Sequence, residues 1–396
     1  MAPNRSPAIL SDGDDVADRS LKNANGLIPT TMDQDPLRPL PASDLDQISV
    51  ATESIWRAQD RAHFFITGAT GFFGQWLLES LVAANRRFGL RVEATVLSRD
   101  PASFLARRPH LAEARELHWV RGSAVDFTVA QVAAARTAPA DPPRFAAVIH
   151  LVTEADNDRT VADPLAAYDV IAGSTRRALE FATAVGARRF LFTSSGSVYG
   201  LQPPALPRVA EDYAGAPDGT DGLSAYAVSG SAKRAAETLC VAYGKSRGLE
   251  AVIARCFAFS GPGLPVDSKF ALGNFLSDAL AGREIVVKGD GTPVRSYLYA
   301  SDLAVWLWTL LVRGSAGRAY NVGSEHPITI QETAEAVRRE VAPGARVRVS
   351  TPPDPARPTH RYVPSTARIR TELGVRETVP LAEGIRRMAA WLRRTG

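Results

Sequence analysis

Cysteine is almost missing from this chain: Cys240 and Cys256 are its only two. They provide no disulfide framework and no metal-ligand spacing, so a reducing cytoplasm is the expected setting. Long apolar runs are missing too. The longest, Leu303 to Val312, is too short to span a bilayer. Met1 to Leu10 lacks the basic start and apolar stretch of an export signal. Neither sign of charge dominates. A net charge of +4 over 396 residues is small, and the arginines are scattered rather than clustered. Neither nucleic acid nor a membrane is therefore an expected partner. No internal repeat or low-complexity block is visible. What remains is the composition of a globular protein long enough for one large domain or two fused lobes.

The most informative stretch is Thr67-Gly68-Ala69-Thr70-Gly71-Phe72-Phe73-Gly74. The apolar run His63-Phe64-Phe65-Ile66 precedes it, and an amphipathic run begins at Gln75. The order is strand, glycine turn, helix. Gly68 permits the tight turn, Gly71 lets backbone N–H groups approach a pyrophosphate, and Gly74 lets the helix pack on the strand. The helix N-terminus then meets phosphate charge, so Gly68, Thr70, Gly71, Phe72, Phe73 and Gly74 are the expected dinucleotide cradle.

From His63 onward strands and helices alternate. Strands are expected at 63–67, 92–97, 117–120, 146–151, 189–194 and 251–257, and helices at 72–84, 165–185 and 231–247. Such alternation implies a parallel sheet with helices on both faces, a Rossmann-like doubly wound α/β fold. Ahead of it, residues 1–42 read as a mostly disordered tail, being rich in Pro, Asp, Asn and Ser. A helix within 43–60 follows, with Ser43 as N-cap and Leu45, Ile48, Ala51 and Ile55 on one face, packed beside the first strand. Residues 61–257 form the nucleotide-binding domain, to which 297–323 contribute. Residues 258–396 form a smaller mixed α/β lobe for the substrate. A hairpin-like turn is expected at Lys288 to Thr292, and an amphipathic helix over about 381–394 whose arginines face solvent.

The second strand ends Ser98-Arg99-Asp100. An acidic residue at that point would hold the ribose hydroxyls of NAD, whereas Ser98 and Arg99 suit the 2′-phosphate of NADP. Two further stretches carry hydroxyls and an amine. Phe190 to Gly200 runs an apolar strand into Thr193, Ser194, Ser195 and Ser197, at the strand end where open α/β sheets bind ligands. Ser224 to Glu237 contains Tyr226 and Lys233. A tyrosine serves as a general acid or base when a nearby ammonium lowers its pKa.

Together these stretches resemble the extended short-chain dehydrogenase/reductase family, in its branch of nucleotide-sugar epimerases and dehydratases. The likeness runs from about His63 to the C-terminus. It also takes in Arg255 to Pro262, Gly289-Asp290-Gly291 with Arg295, Tyr320-Asn321-Val322-Gly323 and Arg361-Tyr362-Val363-Pro364. The resemblance implies that Ser195 hydrogen-bonds the reacting sugar oxygen. It implies that Tyr226 takes the proton as hydride leaves carbon, and that Lys233 binds the nicotinamide ribose and tunes the phenol. Arg295 would bind a substrate diphosphate, with Arg361 sharing the task, and Ser197 and Asn274 would contact substrate. The implied partner is a sugar, nucleotide- or nucleoside-linked, and the implied assembly a homodimer through helices 165–185 and 231–247.

Departures from the pattern are equally informative. The family's tyrosine and lysine are four residues apart, but Tyr226 and Lys233 are seven apart, and Ser229 stands four before the lysine. Because Ser-Gly-Ser is a poor helix interior, a looped-out insertion of three residues is expected, with Lys233 in the first turn of the helix. The rival is that Ser229 takes the tyrosine's place. Where dehydratases carry an Asp-Glu pair, Gly196 and Ser197 stand here. The leading expectation is an epimerase or dehydratase that oxidises a carbinol transiently, with NAD ahead of NADP because such chemistry recycles its cofactor. The other readings are a lyase forming an unsaturated sugar or nucleoside, an NADP-dependent ketosugar reductase, and a non-catalytic cofactor-binding protein.

Overall fold

The computed structural model describes residues 38–135, 144–154, 156–220, 224–266, 270–354, 356 and 359–393. Most of the expected tail lies outside them, as does the last residue of the expected C-terminal helix.

Seven strands form one parallel sheet: β1 (His63–Thr67), β2 (Glu93–Ser98), β3 (Leu117–Arg121), β4 (Ala147–His150), β5 (Arg189–Ser195), β6 (Glu250–Cys256) and β11 (Ala319–Val322). Their order is β11-β6-β5-β4-β1-β2-β3, with every neighbouring pair parallel. The order reverses between β1 and β4, and there the crevice for a ligand opens at the strands' C-terminal ends. Strand periodicity explains the two faces. Along β1, Phe64 and Ile66 enter one core with Trp56, Trp76 and Trp308, while Phe65 enters the other with Phe127, Phe181, Phe190 and Phe192.

The smaller lobe is built from strand pairs. β7 (Ala258–Ser260) pairs with β10 (Tyr297–Tyr299), β8 (Ile285–Val287) with β13 (Val347–Val349), and β9 (Val294–Arg295) with β12 (Ile328–Thr329). No hairpin forms at Lys288 to Thr292, because β8 and β9 each take a partner from farther along the chain. The helix Ala300–Arg313 and β11 return to the large sheet.

Two helices, α1 (Ala42–Ala51) and α2 (Glu53–Ala58), precede the sheet. The first starts after Pro41 with no side-chain cap, so Ser43 is not its N-cap. The break at Thr52 changes the helical phase, which leaves Ala51 exposed while Ile48, Ile55 and Trp56 are buried. α1 packs on α3 (Phe72–Phe88) and on Ala300–Arg313 rather than beside β1. Its anchor is the fully buried Asp44, which accepts from the Tyr299 hydroxyl at 2.7 Å and from Arg387 Nη1 at 2.6 Å. The C-terminal helix Leu381–Arg393 therefore does not face its arginines wholly to solvent.

Two other helices differ from expectation. The helix expected over 165–185 is present as continuous helical backbone over 164–184, differing in a π-helical turn, Asp169–Gly173, between Pro164–Tyr168 and Ser174–Ala184. The helix expected from 231 begins six residues earlier. It runs unbroken over Ala225–Arg247, with Ser224 as N-cap accepting from Ala227 N–H. Gly230, which weakened the helical reading, is there for packing: a Cβ on it would lie 2.7 Å from both the Pro217 ring and the Ser197 carbonyl. Tertiary fit overrides propensity here. No three-residue loop bulges out between Tyr226 and Lys233.

Candidate active site

The turn after β1 has the properties of a phosphate cradle. Gly68 sits at φ +73° against Leu151 and Val152, where a Cβ would come within 2.8 Å of backbone. Gly74 admits no side chain, since a Cβ would lie 2.1 Å from the Ala69 Cα. Gly71 is different. A Cβ there would meet no protein atom nearer than 3.5 Å, so nothing in the chain itself requires glycine and the space beside it is open to a ligand. Phe72 and Phe73 open α3, and their N–H groups belong to the unsatisfied first turn. Phe73 is braced edge-on by Phe259 at 5.0 Å, and Thr70 lies half-buried in the loop. These residues fit a dinucleotide pyrophosphate.

At the end of β2, Ser98 is buried and accepts from the Asp100 N–H, while Arg99 is exposed. Asp100 caps the next helix by accepting from Ser103 N–H, so the local carboxylate already has a structural task.

Lys233 lies under the crevice, 3% exposed, and Nζ donates to the carbonyls of Val152 (3.0 Å) and Thr193 (2.8 Å). Burial lowers its pKa to about 8. His150, buried beneath it, is pushed down to about 3 by burial and by the Lys233 charge, so its ring is neutral. It is held between the Thr67 and Ser174 hydroxyls. Below Ser195, Glu237 accepts from Ser194 at 2.6 Å and grips Arg255 through two parallel bonds. Arg255 reaches the Tyr199 hydroxyl, which donates to Asn321. This network locks β5, β6, β11 and the helix Ala225–Arg247 around the serine turn.

Within that frame Ser195 Oγ accepts from the Ser197 N–H and hydroxyl, at 3.1 and 2.9 Å. It lies 3.3 Å from the Tyr362 hydroxyl. Sequence reasoning had Tyr362 only inside a motif, not as a site residue. The signal that could have found it was Gly196. A Cβ at position 196 would sit 2.7 Å from the Phe257 ring and 2.8 Å from the Tyr362 hydroxyl, so the two rings together fill the space where the dehydratase aspartate would begin. Burial raises the Tyr362 pKa to about 12, while its Ser195 bond and Arg295 pull the other way.

Tyr226 and Lys233 are not brought together. On a continuous helix seven residues rise about 10.5 Å, against about 6 Å for four. The Tyr226 hydroxyl donates instead to the Gly200 carbonyl at 2.9 Å, and burial drives its pKa well up. Half-buried Ser229 occupies the position four before Lys233.

Arg295 closes the other side. It is half-buried and donates to the Val294 and His360 carbonyls. Among the described residues no carboxylate pairs with it, and burial lowers its pKa while the phenols of Tyr297, Tyr362 and Tyr226 raise it. Asn274 is half-buried in the first turn of the helix Ala271–Leu280. Arg361 does not join this cluster. It lines a separate cleft of about 470 Å³ with Thr292, Thr329 and Gln331, because successive residues of an extended chain face opposite ways.

A doubly wound sheet with a glycine cradle at its switch point, a buried lysine below and hydroxyls above defines a nucleotide-cofactor enzyme of the Rossmann class. Residues 64–323 match the NAD dependent epimerase/dehydratase family, and the chain belongs to that family. It is thus an enzyme of epimerase/dehydratase type, and its cofactor is NAD. It is 28% identical over 332 residues to a dTDP-glucose 4,6-dehydratase of Streptomyces niveus, covering 83% of this chain and 92% of that one. It is 28% identical over 330 residues to UDP-glucuronic acid decarboxylase 1 of Arabidopsis thaliana, covering 83% and 69%. Two solved structures share the fold. A dTDP-glucose 4,6-dehydratase of Streptomyces venezuelae with NAD bound has a TM-score of 0.68, 24% identity and coverage of 84% and 97%. An epimerase of Methanothermobacter thermautotrophicus has a TM-score of 0.71, 24% identity and coverage of 86% and 95%. Among the described residues no helix is long and apolar enough to cross a membrane.

Proposed function

We propose that the chain transforms a nucleotide-linked sugar by transient oxidation of a carbinol to a ketone. NAD, when bound, supplies a hydride acceptor that later returns the hydride. The observation that carries this reading is Arg295, a half-buried guanidinium with no carboxylate partner among the described residues, beside the Ser195–Tyr362 pair. A desolvated cation left without a counter-charge suits an incoming diphosphate.

The chain's own groups divide the work. Gly68 to Gly74 and the first N–H groups of α3 hold the pyrophosphate. Ser98 and Arg99 border the adenosine ribose. An ammonium has three N–H groups, and Lys233 spends two on Val152 and Thr193, leaving the third for the nicotinamide ribose. Ser195, steadied by Ser197, hydrogen-bonds the reacting oxygen. Tyr362 shares that oxygen as the nearby phenol, a role the sequence pattern had given to Tyr226. Tyr226 and Asn274 border the sugar, and Arg361 meets a more distant part of the nucleotide from its own cleft. As hydride leaves the carbinol its hydroxyl proton passes to the deprotonated form of the Tyr362 phenol, and the same phenol then returns that proton to the ketone oxygen when the hydride comes back, or gives it to a departing hydroxyl so that water is lost.

The test is direct. The NAD-loaded chain is incubated with UDP-, dTDP- and GDP-linked hexoses, and products are read by mass spectrometry and NMR. An isomeric nucleotide sugar, or one lighter by a water, forms without net consumption of NAD. A loaded enzyme that converts none of them while holding its cofactor overturns the reading and leaves a non-catalytic nucleotide binder, the alternative that Ser229 in the tyrosine position favours. The mass of the nucleotide released on denaturation checks the cofactor against the Ser98–Arg99 turn: NADP alone would turn the assignment toward a one-way ketosugar reductase.

We also propose a cytoplasmic homodimer. Val161, Leu165 and Tyr168 are exposed apolar side chains, 47%, 78% and 39% accessible, on two consecutive short helices, Asn157–Ala162 and Pro164–Tyr168, both packed along the helix Ala225–Arg247. A second copy of that face would cover them. Leu165→Glu is expected to convert a sedimenting dimer to a monomer without altering NAD binding. An unchanged sedimentation coefficient removes this face as the interface.

A further inference from the structure

At the edge of the sheet opposite the crevice, three neighbouring strands bring together two imidazoles and a carboxylate. His63 opens β1, Glu93 opens β2 in register with it, and His118 on β3 pairs in register with Thr95. In a parallel sheet partners in register share a face, as do residues two apart on one strand. His63, Glu93, Thr95 and His118 therefore all project to the face that carries Phe65 and Phe145. Phe145 packs edge-on against the His63 ring at 4.9 Å.

We propose that His63 Nδ1, Glu93 Oε2 and His118 Nε2 bind a divalent transition-metal ion of the zinc class. Both ring nitrogens converge on the same carboxylate oxygen, His63 Nδ1 at 3.3 Å and His118 Nε2 at 3.4 Å. The ligand atoms all lie within 4.8 Å of one another. Those separations exceed the roughly 2.7–2.9 Å of a charge-assisted hydrogen bond. The two nitrogen–oxygen distances equal the edge of a tetrahedron, about 3.3–3.4 Å, around an ion with bonds of roughly 2.0–2.1 Å to nitrogen and oxygen.

A supporting contact is already in place. His63 Nε2 lies 2.8 Å from the buried Thr95 hydroxyl. When Nε2–H donates to that hydroxyl, the Nδ1 lone pair faces Glu93, the arrangement by which metal-binding histidines are oriented and tuned. Two imidazoles with one carboxylate select zinc, cobalt, nickel or copper rather than calcium or magnesium, which take all-oxygen sets. Glu93 and His118 have side chains 48% and 23% exposed, so an ion can enter and water can complete its shell. The site lies at the N-terminal ends of the strands, whereas the glycine cradle is at their C-terminal ends. Its role is accordingly to tie β1, β2 and β3 together, stabilising the fold in proportion to ion occupancy.

The experiment uses the full chain without a histidine tag, stripped with a chelator and titrated with Co²⁺. One equivalent is expected to bind with the visible absorption of a four-coordinate site, and Zn²⁺ to displace it. His118→Gln and Glu93→Gln, both at accessible positions, are each expected to weaken Co²⁺ binding more than a hundredfold. Thr95→Val is expected to weaken it roughly ten- to a hundredfold through loss of the orienting contact. Zn²⁺ should raise the melting temperature of the parent and not of His118→Gln. Absence of stoichiometric Co²⁺ binding, or binding equal in the parent and the His118→Gln and Glu93→Gln variants, overturns the proposal. Retained NAD binding shows that the variants are folded.

Discussion

Tyr362→Phe is expected to lower kcat by about 10²- to 10⁴-fold, the range for losing a positioned acid or base, with little change in KM for the sugar. The hydroxyl is the one phenolic group in contact with Ser195 among the described residues, and with the Phe257 ring it borders the space left by Gly196. Tyr226→Phe is expected to cost less than about tenfold in kcat and to act mainly through KM, because that hydroxyl is bonded to the Gly200 carbonyl and lies far from the lysine ammonium. Steady-state kinetics of the two variants, each checked for bound NAD, separates the cases. With the Tyr362 pKa raised to about 12, its proton stays on through the physiological range. No alkaline limb from this phenol is therefore expected below about pH 11. If Tyr226→Phe abolishes turnover and Tyr362→Phe spares it, the phenol of the general family pattern is in use after all, reached by a movement of the helix start.

Why the sequence pointed to one tyrosine and the structure to another is a matter of range. The Gly68–Gly74 turn, the strand sequence and the parallel sheet were legible because they rest on local periodicity and on two glycines, Gly68 and Gly74, whose need is set by backbone packed against them. The place of Ser195 at the end of β5 was readable from its apolar strand, whereas Lys233 falls in the middle of a helix and not in the first turn expected for it. Tyr362 was not legible: it meets Ser195 from 167 residues away, and nothing in its own neighbourhood announces the encounter. Gly230 misled for a related reason. Read locally it breaks a helix, yet it is required by the Ser197 carbonyl pressed against it. The hairpin at Lys288 to Thr292 failed likewise, since each flanking strand finds a better partner at a distance. Arg295 stands between these cases. Its place was readable, and its lack of a carboxylate partner among the described residues, which makes it a candidate anion site, is visible only in three dimensions.

Lys233→Met is expected to weaken NAD binding by roughly ten- to a hundredfold, the loss of one charge-assisted hydrogen bond to the ribose, and to change how stability depends on pH. In the folded chain burial lowers the Lys233 pKa from 10.5 to about 8. The unfolded chain therefore holds that proton to higher pH than the folded one, and the lysine's contribution to stability rises between about pH 8 and 10.5. Below pH 8 the buried charge costs on the order of 3 kcal/mol, since each tenfold loss of proton affinity is about 1.4 kcal/mol. Methionine removes that cost but leaves the Val152 and Thr193 carbonyls without their donor, a loss of about 1 kcal/mol each. The two effects nearly offset each other at pH 7, so parent and variant should melt within a few degrees of each other there. At pH 10 the charge cost has largely gone from the parent while the lost bonds remain in the variant, and the parent should be the more stable. Chemical denaturation of both cofactor-free chains from pH 7 to 10.5 measures this difference. A gap that stays constant with pH would mean that Lys233 keeps an ordinary pKa. The ammonium would then be hydrated rather than sealed beneath the crevice, and its place under the nicotinamide ribose would go with it.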